Sequence, residues 1–166
     1  MGIDGLEEAV AADILARMKR VSRRLYELGI PHALIGGLAV GVHGHPRATK
    51  DVDFLVGEEA FEGGIVLSFR EELHELVELA VTDLLGVPPR RPVLNDELRL
   101  LDGVPVVSLD ALIMMKLDAN RPQDVADVTT LLRLHPGRHR SLLEYMQANA
   151  SDLLPRLLEL LATLPS

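Results

Sequence analysis

The chain has 166 residues, 48% of them hydrophobic and 25% charged, with a formal net charge of −8 and no cysteine. That length and balance fit one compact domain with a sizeable core and argue against disorder or two independent domains. The lack of cysteine rules out disulfides and any Cys-based zinc or nucleophile site and favours a cytoplasmic setting, while the acidic balance and an aromatic content of 3% argue against a nucleic-acid binder that uses its whole surface.

The N-terminal stretch MGIDGLEEAVAADILARMKR has none of the features of a signal peptide, and no apolar run reaches the roughly 18 residues a membrane span needs, so no membrane partner is expected. Leu6, Val10, Ile14, Met18, Val21, Leu25 and Leu28 recur at spacings of three and four, which predicts one amphipathic helix over 6–28 stopped by Gly29. A short strand, Pro31–Ile35, then runs into Gly36 and Gly37, and LAVGVHG reads as a short helix closed by Gly44. HPRAT is a loop and KDVDFLV a strand bounded by Gly57. Residues 58–76 fit neither period cleanly: GGIVLSF looks like a strand and SFREELHELVEL like a helix. VELAVTDLLGV suits a buried strand ending near Leu85, a Pro-rich passage covers 88–101, and GVPVVS is one more short strand. From Ser108, a candidate N-cap, the character is helical, with Pro122 opening a second helix and HPGRH separating it from two more. The expected architecture is α+β, with a small mixed sheet and its helices over 1–107 and a helical part over 108–166 packed on that core.

Chemistry concentrates in residues 33–56, ALIGGLAVGVHGHPRATKDVDFLV. On a strand, side chains at i and i+2 share a face, so Asp51 and Asp53 project together with Thr49, while Val52, Phe54 and Val56 face the core. Two neighbouring carboxylates repel unless a cation neutralises them, and oxygen-only ligands favour a hard ion. An isolated D-x-D reads more simply as the solvated face of an edge strand. Here, however, it follows a Gly-Gly turn that lets backbone N–H groups approach phosphate, and Arg47 and Thr49 add donors for anionic oxygens. Asp83, flanked by Val81, Leu84 and Leu85, requires compensation if buried. Beside the D-x-D strand it would complete a three-carboxylate cluster able to hold two ions about 4 Å apart.

Lys116, in ALIMMKLDA, is surrounded by apolar residues. Either it finds a carboxylate or phosphate partner in the interior or it snorkels to solvent. Asp124 and Asp127, one helical turn apart, share a face from which they could orient Lys116 or Arg121. His43 and His45 read as surface or capping residues rather than ligands, and Pro136 and Gly137 break the i, i+4 pairing of His135 and His139. The basic clusters at 17–24, at Arg90 and Arg91, and at Arg133, Arg138 and Arg140 read first as solvated faces or loops.

GG, then R-A-T-K-D-V-D about ten residues on, then a lone Asp in a later strand resembles the nucleotidyltransferase-fold superfamily of DNA polymerase beta and the minimal bacterial nucleotidyltransferases. The stretch VVSLDALIMMKLDANRPQDVADVTTLL looks like the segment that follows the core in AbiEii-type toxins, and the similar segments together span roughly residues 30–134. The resemblance implies a Mg2+-dependent enzyme, with Mn2+ as an alternative ion, that moves a nucleoside monophosphate from an NTP to an acceptor hydroxyl and releases pyrophosphate. By the same resemblance Asp51 and Asp53 match the metal-binding pair and Asp83 the third carboxylate, which helps to deprotonate the acceptor. Gly36 and Gly37 match the nucleotide-phosphate turn, where many members carry Gly-Ser. Lys116, Arg121, Asp124 and Asp127 match the toxin branch's K…R..D..D pattern, in which the lysine reaches the triphosphate, so Lys116→Met is expected to weaken NTP binding more than folding. The implied acceptor is a tRNA 3′ end or a protein, and the implied partner a cognate antitoxin. The alternatives are a small-molecule, aminoglycoside-like acceptor and a non-catalytic nucleotide- or partner-binding module of the same fold.

Overall fold

The computed structural model describes residues 4–7, 9–56 and 99–165. The expectations for 58–76 and for the strand holding Asp83 lie outside the described residues, as do Arg90 and Arg91.

The chain is α+β. Its N-terminal helical segment is not the single helix that the apolar spacing predicts: α1 covers Asp4–Glu7 and α2 Ala12–Glu27. The N–H groups of Ala9 and Val10 both turn back to the Leu6 carbonyl, and Ala11 is extended at φ −59, ψ 140, so the axis is broken while Leu6, Val10 and Ile14 all stay buried. Leu6 packs against Gly41 of the short helix that follows the first strand, a contact any larger side chain at 41 would displace. Periodicity records which residues are buried, and a bend that keeps them buried leaves no mark on it. At the other end of α2, Gly29 stands at φ +67, and the N–H groups of Gly29 and Ile30 reach the Tyr26 and Leu25 carbonyls at 3.0 and 2.9 Å, closing the last turn in a Schellman motif.

Strand β1, His32–Ile35, passes directly into α3, Gly36–Val42, and after an irregular loop β2 covers Asp53–Val56. The second strand is therefore shorter than the expected KDVDFLV, and Thr49 and Asp51 lie in the loop before it. Beyond the undescribed segment, β3, Arg99–Leu101, and β4, Val104–Val106, form a hairpin. Asp102 and Gly103, at φ +48 and +80, make its two-residue turn. An Asp-Gly pair between short apolar runs is a strong hairpin signal, and reading 88–101 as a Pro-rich passage overlooked β3.

The described strands form one mixed sheet in the order β2-β1-β4-β3, antiparallel except for the central β1–β4 pair. One face carries His32, Leu34, Phe54 and Val106, and the His32 and Phe54 rings meet edge to face at 5.6 Å. The opposite face carries Ile35 and its partner Asp53. Four helices follow: α4 (Leu109–Ala119), α5 (Pro122–Leu134), α6 (His139–Asn149) and α7 (Leu154–Ala162). Ser108 caps α4, its hydroxyl accepting the Ala111 N–H at 3.2 Å, and Asn120 ends it in the left-handed region at φ +51. A single apolar cluster runs from Leu6 through the sheet to Leu157, so the C-terminal helices share the core of the sheet. Among the described residues no helix is long and apolar enough to cross a membrane.

Candidate functional site

At the end of β1 the chain turns into α3 through Gly36, at φ +66, where an L side chain is strained. Space forbids one as well: a Cβ on Gly36 would run into the Asp53 carboxylate of the neighbouring strand. A Cβ on Gly37 would meet Arg47 Nη2 and Thr49 Oγ1 at 3.2 Å each. The glycine pair is therefore the surface against which Asp53 rests on one side and Arg47 and Thr49 on the other. Asp51 does not share a strand face with Asp53, contrary to the i, i+2 expectation. It is exposed on the loop, and its backbone N–H reaches Thr49 Oγ1 at 3.4 Å.

Next to this turn lies a charged network built by α4 and α5. Lys116 is 6% exposed, so the snorkelling alternative is excluded; its ammonium pairs with Asp124 at 3.0 Å and with Asp127 at 2.8 Å. Asp127, fully buried, also takes a bidentate pair of bonds from Arg47, Nε and Nη2 each at 3.0 Å, and one from Gln123 at 3.0 Å. Asp124 accepts the Arg121 backbone N–H at 3.2 Å, which caps the start of α5, and Arg121 Nε at 2.7 Å. Burial pushes both carboxyls up, but the bonds and charges of their cationic partners outweigh it and hold both below the usual range: Arg121 and Lys116 at Asp124, Arg47 and Lys116 at Asp127. The Arg121 guanidinium is raised first by its bond to Asp124 and then by that charge, with a further contribution from Asp53. Arg121 is 77% exposed along its side chain, and the Asp53 carboxylate beside Gly36 acts on it through space.

Of the residues singled out in the sequence, Gly36, Gly37, Arg47, Thr49, Asp53, Lys116, Arg121, Asp124 and Asp127 are brought into one neighbourhood, Asp51 lies at its exposed rim, and Asp83 is outside the described residues. Gln123 is an addition, and its position one turn before Asp127 on α5 was the signal for it. Lys116, Arg47 and Arg121 set three cations against two buried carboxylates, with Arg121 the most exposed of the three.

His43, His135 and His139 serve the fold. His43 is the C-cap of α3, as the capping alternative has it, but is buried rather than on the surface, with Nε2 at 2.7 Å from the carbonyl of Val107, just past β4. His135 and His139 lie against the carbonyls of His43 and Leu132, at 2.6 and 2.8 Å. No group of three or more His, Asp or Glu side chains able to hold a metal occurs among the described residues. Asp51 and Asp53 nonetheless offer the hard oxygen donors that suit Mg2+, an ion commonly held by one or two carboxylates with substrate phosphates completing its shell. Asp53, braced against a glycine with no room for a Cβ, has a fixed position from which to do so.

The chain matches no known family model, and no curated protein matches it.

Proposed function

We propose that the chain is a metal-dependent nucleotidyltransferase acting in the cytoplasm, moving a nucleoside monophosphate from an NTP to an acceptor hydroxyl. The observation that carries this reading is the Gly36–Gly37 turn, with a carboxylate packed against its first glycine and an arginine and a threonine against its second. Such a surface puts donors for phosphate oxygens beside an acid that can hold a divalent cation, and Arg121, exposed and held by Asp124, acts electrostatically on the same acid. Asp51 and Asp53 would hold Mg2+, which supplies neutralisation of triphosphate charge. Arg121, Arg47 and Thr49 bind and orient the phosphates. The acceptor oxygen forms the new bond to the α-phosphorus as the bond to the bridging oxygen breaks and pyrophosphate leaves. Asp83 takes the acceptor's proton by resemblance to the superfamily.

The pairing of Lys116 supports a positioning role in place of the triphosphate contact that the resemblance implies. Held by two carboxylates at 3.0 and 2.8 Å and almost wholly buried, it positions Asp124 and Asp127, which in turn hold Arg121 and Arg47. A compact acceptor, a small molecule or a protein hydroxyl, is favoured over long RNA by the net charge of −8, which leaves no broad basic surface.

The test is to incubate the protein with each α-radiolabelled NTP, Mg2+ or Mn2+, and tRNA, cell extract or aminoglycosides in separate arms. Label transferred to an acceptor, and absent with Asp53→Asn, supports the reading. No label in any arm opposes it.

A further inference from the structure

On the face of the sheet opposite Asp53, and at the other end of β1, lies an open pocket of about 570 Å3 between α2 and the β3–β4 turn. Three β1 residues, Ala33 to Ile35, separate His32 from Gly36, about 13 Å along the strand. Its volume is in the range of small-molecule sites, and it combines a polar floor, an aromatic wall and a charged mouth.

The floor is Ser22 and His32, both buried, with Ser22 Oγ at 2.8 Å from His32 Nε2 and His32 Nδ1 at 2.9 Å from the Ile30 carbonyl. A carbonyl only accepts, so Nδ1 carries the ring proton, Nε2 accepts, and the Ser22 hydroxyl proton is committed to it. Burial keeps the ring neutral by lowering its pKa against the opposing effect of the Ile30 bond. With its proton used, Ser22 can only accept from anything that enters. At the mouth, Lys19 is paired with Asp102 at 3.0 Å, while Arg23, one turn further along α2, has no ion-pair partner among the described residues. Tyr26, also lining the pocket, is 80% exposed, in a chain with only two tyrosines.

We infer that this pocket binds a small aromatic anion: a planar ring lying on Tyr26, a hydroxyl or amino donor directed to Ser22 Oγ, and a carboxylate or phosphate held by Arg23. The site is separate from the glycine turn and independent of the proposed transfer reaction.

Backbone amide NMR of the full chain, titrated with 4-hydroxybenzoate, benzoate and 4-hydroxyphenyl phosphate, tests it. Both hydroxylated anions should give saturable shifts confined to α2, the start of β1 and the β3–β4 turn. Benzoate, lacking the donor, should bind about fivefold more weakly, the equivalent of one hydrogen bond. Arg23→Glu, an exposed change, should abolish saturation, and Asp53→Asn should leave it unchanged. The inference is overturned by the absence of saturable shifts up to about 20 mM, by shifts that map to Arg47 and Arg121 instead, by equal affinity for benzoate, or by binding that survives Arg23→Glu.

Discussion

Two buried polar clusters flank β1, and they are built on opposite principles. The one on α4 and α5 is ionic, with Lys116, Arg47 and Arg121 converging on Asp124 and Asp127. The Ser22–His32 pair is neutral, held by two hydrogen bonds in line. A neutral pair can be dismantled at the cost of its hydrogen bonds, whereas an ionic network that loses one member strands the opposite charge in a dry interior. The ionic cluster is therefore the harder of the two to dismantle, as suits the support of the proposed nucleotide site, and it holds arginines at its exposed side.

The sharpest way to break this contrast is Lys116→Met. The sequence alone leads to the expectation that NTP binding is weakened more than folding. Because Asp124 and Asp127 would be left buried with one cation fewer, the expected result is instead a loss of about 3–5 kcal/mol in denaturant-induced unfolding. A loss under about 1 kcal/mol would return Lys116 to the role of a dispensable surface cation.

Gly36→Ala comes next. It forces an L residue to φ +66 and pushes on the Asp53 carboxylate, so about 1–3 kcal/mol of stability should be lost, and metal-dependent NTP binding with it. Retained NTP affinity in isothermal titration calorimetry would separate the turn from the nucleotide.

Ser22→Ala is the smallest of the three, about 1 kcal/mol, since His32 keeps its bond to Ile30 and loses only one partner. A thermal shift larger than that of Gly36→Ala would contradict the ordering.

Acid should separate the clusters in time. The His32 pKa is lowered in the folded state, so its contribution to stability is complete above the ordinary histidine value and is lost as pH falls below about 6.5. Asp124 and Asp127 are also lowered, and theirs is complete above the ordinary carboxylate value and lost only as pH falls below about 4. Stability measured against pH should thus decline in two stages, the first absent in a His32→Gln variant. A single decline below pH 4, identical in both proteins, would show that His32 titrates as it does in the unfolded chain.

What could be read from the sequence was local. Lys116 announced itself by the apolar residues around it, and the i, i+3 spacing of Asp124 and Asp127 put its partners on one helix face. The Ser108 cap and the stop at Gly29 follow from residue chemistry at a helix end. Contacts between distant segments left no such trace: Arg47 and Asp127 are 80 positions apart, and Ser22 meets His32 across the turn that ends α2. Asp51 was misplaced because alternation along KDVDFLV continues through residues that are not yet in the strand; burial of Val52 keeps the pattern while the backbone pairing begins only at Asp53. The hairpin at Asp102–Gly103 was legible and overlooked.

The central claim is that the Gly36–Gly37 turn and its neighbouring aspartates form a metal-dependent nucleotide site. Calorimetric titration of the full chain with each NTP, with and without Mg2+, tests it most directly, alongside the Asp51→Asn, Asp53→Asn double variant. The account predicts saturable binding of at least one NTP that requires Mg2+ and disappears in a double variant that remains folded by circular dichroism. Binding that is indifferent to Mg2+, or undiminished in the double variant, would contradict it.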